Sequence, residues 1–169
     1  PSLFRTDSPT CVEWTSQTAA DTRPASAAIP AYAASRQIEI FYITYREERE
    51  RSSTLKNLKN FSLPNADEAH LLTRQTTSSK EARRQQIMQR YEVVLLMGDN
   101  LADFSSIFDK KTETERTLNT DRAAGEFGKK FIIFPNVNYG DWEGSMYGYK
   151  YSLTQKQKDS VMRSLLKTY

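Results

Sequence analysis

Tyr91 to Phe104 reads YEVVLLMGDNLADF, and its interpretation decides the fold. Val93 to Met97 are five consecutive apolar residues, too few for an ordinary helix and rich in β-branched or bulky side chains. That pattern predicts a strand buried on both faces, hence parallel and central. Gly98 ends it, and two carboxylates follow at Asp99 and Asp103. Ligands of open α/β sheets sit at the carboxyl ends of the strands, so acids here mark a candidate site.

Outward from this stretch, Ile38 to Thr44 (IEIFYIT) is a second predicted strand, with a short Ala-rich helical piece, Ala31 to Ser35, before it. Arg46 to Asn60 is predicted helical, with Leu55 and Leu58 inward and the charge run Arg46 to Arg51 read as a solvated face. Ala69 to Thr73 suggests a brief strand. A helix is expected from Lys80 to Arg90, capped by Ser78 or Ser79, with Ile87 and Met88 inward and Arg74, Arg83, Arg84 and Arg90 mostly outward. Beyond the central strand, Leu101 to Phe108 opens another helix, and Lys110 to Phe127 reads as a long one with a thin apolar stripe through Leu118, Ala123 and Phe127. Gly128 stops it, and Phe131 to Phe134 is a further buried strand ended by Pro135. Asn136 to Tyr151 is a Gly- and aromatic-rich loop. Leu153 to Leu166 is a terminal helix with Leu153, Val161, Leu165 and Leu166 as core candidates. Strands alternating with helices predict βαβ units and an α/β parallel sheet. Residues 1 to 30 read as irregular, since Pro24 interrupts the Ala-rich run.

The 169 residues suit a single domain, and 38% apolar content allows a modest core. The net charge of +3 is small and interleaved, which excludes a basic nucleic-acid stripe. One cysteine, Cys11, permits no internal disulfide. No apolar run approaches the roughly 20 residues of a membrane helix. Pro1 is not a methionine, so an upstream segment is expected.

Asp99 and Asp103, four apart, would lie one turn from each other if the chain is helical after Leu101. Two hard oxygen donors suit Mg2+. A helix N-cap at Asp99 or Asn100, with Asp103 on the surface, fits the spacing equally. Thr44, ending its strand, could hold a phosphoryl oxygen or cap a helix. Lys80 at a helix start opposes the helix dipole, which points to a task such as anion binding; an ordinary surface lysine is the alternative. His70, the single histidine, reads as packed or superficial, and no Ser-His-Asp or zinc arrangement forms around it. The Tyr139 to Gly144 loop could stack on a flat group such as a nucleobase or simply cover the core.

Together these pieces resemble the class C acid phosphatases, bacterial lipoprotein-type acid phosphatases and 5'-nucleotidases of the haloacid dehalogenase-like superfamily. The resemblance runs from about Trp14 to Leu166. Its strongest parts are IEIFYITYR at Ile38 to Arg46, SSKEARRQ at Ser78 to Gln85, VLLMGDNLADF at Val94 to Phe104 and FGKKFIIFPNVNYGDWEG at Phe127 to Gly144. It implies a three-layer Rossmann-like parallel sheet and an Mg2+-dependent phosphomonoesterase working through an aspartyl-phosphate, with nucleoside monophosphates among its substrates. By the same resemblance Thr44 and Lys80 are catalytic, Asp99 and Asp103 bind metal, and Arg46, Asn100 and Tyr139 contact substrate. These groups are expected to converge on one phosphate-sized pocket. The resemblance also implies a small-molecule phosphomonoester as partner, no nucleic acid, a homodimer as one option, and a cell-envelope or secreted location with membrane attachment only through a lipid anchor outside this chain.

Three departures qualify it. The family's first strand carries Asp-x-Asp-x-Thr, and no Asp-x-Asp occurs in these 169 residues. Nucleophile and acid/base are therefore missing, by truncation or by loss in an inactive phosphate-binding or storage relative. Without its first strand the sheet is expected to be marginally stable, with an aggregation-prone edge. Ile29 to Tyr32 is shorter than in the family by about a turn and a half of helix, and Tyr45 stands where the family usually has Asn. A receiver-like or other nucleotide-binding α/β domain is a weaker third option, since it leaves Lys80 and the Tyr139 loop unexplained.

Overall fold

Among the described residues, two parallel pairs of short strands carry the fold. A computed structural model describes residues 27–137 and 139–165. The expectations for residues 1–26, Cys11 and Trp14 among them, lie outside the described residues. The chain divides into two compact units, Pro1–Arg84 and Gln85–Tyr169.

In the first unit, α1 (Ala28–Ser35) begins inside the stretch expected to be irregular. Pro30 lies in its first turn, where a missing N–H costs nothing. The Ile38 N–H closes back on the Ala33 carbonyl (3.1 Å), and the Ile40 N–H donates to Asn65 Oδ1 (3.1 Å). With those groups occupied, the ladder starts late: β1 is Tyr42–Glu47, not Ile38 to Thr44. It pairs in parallel with β2 (Leu71–Arg74), in register Tyr42↔Leu71 and Ile43↔Leu72, then through an irregularity before Glu47↔Arg74. Leu71 and Thr73 point inward and are nearly fully buried. Burial pushes the Tyr42 hydroxyl up to about 12, and it donates to the Pro64 carbonyl.

The expected helix from Arg46 starts five residues later. Glu48–Glu50 form a single tight turn and α2 is Arg51–Asn60. Glu50 turns its carboxylate back onto the Glu47 N–H (2.9 Å), which closes the turn. The charge run is a solvated face only in part, at Glu48 and Arg49. Glu50 is buried, and Arg51 donates to Glu48, to the Leu71 carbonyl (2.9 Å) and to Thr73 Oγ1 (3.1 Å). Hydrogen bonds from Arg51 and Thr73 hold the Glu48 carboxyl below its usual range. The expected facing of α3 (Glu81–Met88) is also reversed: Arg84 is buried and paired with Glu81 (2.6 Å), while Met88 is half exposed. An arginine with a carboxylate one turn earlier can be buried more cheaply than its charge alone suggests.

In the second unit, β3 (Leu96–Gly98) runs parallel to β4 (Phe131–Ile133), in register Leu96↔Phe131 through Gly98↔Ile133. Val93 to Met97 is thus a shorter strand than expected, and not one buried on both faces, since Val94 is 55% exposed. Among the described residues it has a partner on one side, β4. An apolar run reports potential burial and cannot count its neighbours. The core is aromatic: Phe104 stacks on Phe131 (5.0 Å between centroids), Phe127 meets both edge-on, and Phe108 is wholly buried.

The helix expected from Leu101 is replaced by two tight turns, Leu101–Asp103 and Ser106–Phe108. Ser105, in extended conformation, separates them and caps the second. The predicted long helix is α4 (Glu113–Arg122), started by Thr112 and Glu115 in a reciprocal capping box, with a further turn at Ala124–Glu126. Its expected apolar stripe is wrong at Leu118, which is about half exposed; the buried residue is Arg116. Gly128 has φ 78° and ends this region as expected. The loop after Asn136 contains a helix, α5 (Asp141–Met146). The last helix, α6 (Gln155–Leu165), buries none of its described residues fully. No helix among the described residues is long and apolar enough to cross a membrane.

Candidate active site

Thr44, Arg46 and Lys80 fall in the first unit; Asp99, Asn100, Asp103 and Tyr139 fall in the second. In the first unit, Thr44 does not end its strand. It lies in the irregular stretch of β1 between the Ile43 and Glu47 pairs, and its hydroxyl accepts from the Arg46 N–H (3.2 Å). Arg46 is half-buried, its guanidinium donating to Thr54 Oγ1 (3.3 Å). Lys80 is half-buried immediately before α3, and its carbonyl accepts the Arg84 N–H (3.0 Å).

Arg83 was not foreseen. From the first turn of α3 it donates to the Thr44 carbonyl (2.5 Å), the Leu72 carbonyl (3.4 Å) and the Ser79 carbonyl (3.1 Å). It therefore ties the start of α3 to β1 beside Thr44. Burial, then the neighbouring charges of Arg84 and Arg74, pull its pKa below the usual guanidinium range. Its distance in sequence from Thr44 left no local signal.

In the second unit the end of β3 is organised around Asp99. Asp99 Oδ1 accepts from Asn100 Nδ2 (3.0 Å) and Oδ2 from Asn136 Nδ2 (3.1 Å). Asp103 Oδ2 turns back to accept from the backbone N–H groups of Asp99 and Asn100 (3.1 Å each). Asp103 thus braces the loop that presents Asp99. Gly98 permits that approach: a Cβ there would lie 2.7 Å from Asp103 Cγ, with other Asp103 atoms closer still. Asn136 was also missed. Parallel register places Ile133 opposite Gly98, so a polar residue just past Pro135 reaches the carboxyl end of the neighbouring strand. That inference was available from the two strand ends taken together.

Asn100 Oδ1 is buried and lacks a hydrogen-bond partner. Each Asp99 oxygen accepts an amide hydrogen bond. These oxygens are a hard donor set of the kind Mg2+ takes, one or two carboxylates completed by other oxygens and water. Among the described residues no group of three or more His, Cys, Asp or Glu side chains forms a ready-made metal cluster. Tyr139 is about half exposed; its N–H donates to Asn136 Oδ1 (3.4 Å) and its carbonyl accepts from Trp142 Nε1 (3.1 Å). The loop is therefore pinned at both ends of this residue.

The family model described as HAD superfamily, subfamily IIIB (acid phosphatase) matches residues 4–142. The chain belongs to this family. The subfamily IIIB match spans both units and includes every candidate residue named above. Among solved structures, the chain is similar to the class C acid phosphatase from Bacillus anthracis, at 36% identity and a TM-score of 0.89 over 93% of this chain. A second structure of that Bacillus anthracis enzyme, with tungstate bound, matches at 35% identity and a TM-score of 0.89 over 93% of the chain. The chain spans 66% of the length of each. The α/β fold is accordingly of the haloacid dehalogenase type.

Proposed function

We propose that the chain serves phosphomonoester hydrolysis, and that these 169 residues supply oxyanion and metal binding without the nucleophile. The observation that carries the reading is the end of β3. There Asp99 is held by two amides, its loop is braced by Asp103, and Asn100 Oδ1 is left without a partner. Asp99 and Asn100 would hold Mg2+, with Asp103 supporting them. A bound divalent ion would supply charge that offsets repulsion between a phosphate ester and an anionic nucleophile. Thr44 and Lys80 would bind phosphoryl oxygens, Lys80 as a point charge. Arg46 would steady the substrate end of β1, and the Tyr139 ring would stack on the nucleoside part of a monophosphate. The tungstate held by the Bacillus anthracis relative supports oxyanion affinity.

The absence of Asp-x-Asp favours binding without turnover for this chain. The test is a phosphatase assay with Mg2+ on the purified 169-residue protein, alongside tungstate titration. Expected are background hydrolysis and saturable tungstate binding weakened at least about tenfold by Lys80→Ala, the loss of one charge-assisted contact. Robust EDTA-sensitive hydrolysis overturns the missing nucleophile, and absence of tungstate binding overturns the site.

A further inference from the structure

The second unit contains a cleft of about 440 Å³ bordered by α4, α5 and α6, whose described lining does not include Asp99. Arg116 lines it from the middle of α4, with only 8% of the residue exposed. Its Nη1 is shielded from solvent and has no hydrogen-bond partner. The guanidinium does interact with the Tyr149 hydroxyl, but burial and nearby charge push that phenol up to about 12, so it brings no counter-charge. Among the described residues no carboxylate forms an ion pair with Arg116. A buried cation normally has a paired anion, and Arg116 instead stands in the wall of a cleft.

The rest of the cleft narrows the class of anion. Leu101, Met146 and the Trp142 indole provide apolar wall, while Glu113 and Asp121 stand exposed at its border. Two acids disfavour a dianion more than a monoanion, and a guanidinium fork matches the two oxygens of a carboxylate. We propose that this cleft binds a small organic carboxylate with an apolar or aromatic body, its carboxylate on Arg116 and its body against Trp142 and Met146. The assignment is independent of the phosphatase reading.

Benzoate is the probe, titrated into the 169-residue chain and followed by the amide resonances of α4 and α5 and the Trp142 indole N–H. Saturable shifts are expected, weakened at least about tenfold in Arg116→Met. Should that variant fail to fold, Glu113→Gln and Asp121→Asn, both on the surface, are expected to tighten benzoate binding by about twofold each at low salt. Asp99→Asn is expected to leave it unchanged. The proposal is overturned if benzoate does not saturate, if Arg116→Met or both border variants leave affinity unaltered, if Asp99→Asn abolishes it, or if inorganic phosphate occupies Arg116 and benzoate does not.

Discussion

Gly140→Ala is the sharpest test of how the Asp99 loop is held. Gly140 precedes α5 with φ 137° and ψ −173°, a conformation open essentially to glycine alone. A Cβ added there would lie 2.8 Å from Asn100 Cγ, with Asn100 Oδ1 closer still. Ordinary carbon–carbon contact is about 3.5–4.0 Å, so the Asn100 amide must retreat by about 1 Å. That movement breaks the hydrogen bond from Asn100 Nδ2 to the Asp99 carboxylate. The backbone term is about 1–3 kcal/mol, and loss of a hydrogen bond to a charged group adds about 1.5–3 kcal/mol. The expected destabilisation is therefore about 2.5–6 kcal/mol in urea unfolding followed by circular dichroism. Asn100→Ala removes the obstructing amide, so in the Asn100→Ala background Gly140→Ala should cost only the backbone term. Gly125→Ala, where an added Cβ meets nothing within 4 Å, is the control and should be near neutral. A loss below about 1 kcal/mol in Gly140→Ala, or the same loss in both backgrounds, would refute the collision.

His70 is packed, as one of its two readings expected, and is also paired: its ring nitrogens face Asp67 Oδ1 (2.7 Å) and Glu39 Oε2 (3.3 Å), and the Phe41 ring lies beside it. Burial opposes its charge, but hydrogen bonds and charge from Asp67 and Glu39 outweigh it and raise its pKa above 6.5. Its contribution is thus complete below about 6.5 and fades as pH rises through the higher folded value. His70→Gln should flatten the decline in urea midpoint that the wild type shows as pH rises through that value; an unchanged pH profile in the variant would contradict the pairing. Phe108→Ala, at a site with no exposure, should cost about 3–5 kcal/mol in the same unfolding assay, and a cost under about 1 kcal/mol would show that the aromatic core is not built around it.

The sequence by itself determined most of the elements and their order, though not the tight turns after Leu101 or the helix at Asp141–Met146. Apolar runs ended by Gly98 and Pro135 marked β3 and β4, and Thr112 with Glu115 held the information for an N-cap that was placed only roughly. It also located Asp99 at a strand end and, through shared motifs, the family, because these are local or linear properties. Only tertiary structure decided which charges are buried. Arg84 and Glu50 read as surface residues, and Arg116 gave no signal, because composition weighs a charge alone whereas the fold sets it among its neighbours. Tertiary structure likewise gave Asp103 its backbone-bracing role and brought Asn136 to Asp99 across 37 residues. Such contacts depend on parallel register and on Gly98 and Gly140 admitting close approach, and neither is written in the spacing of the residues concerned.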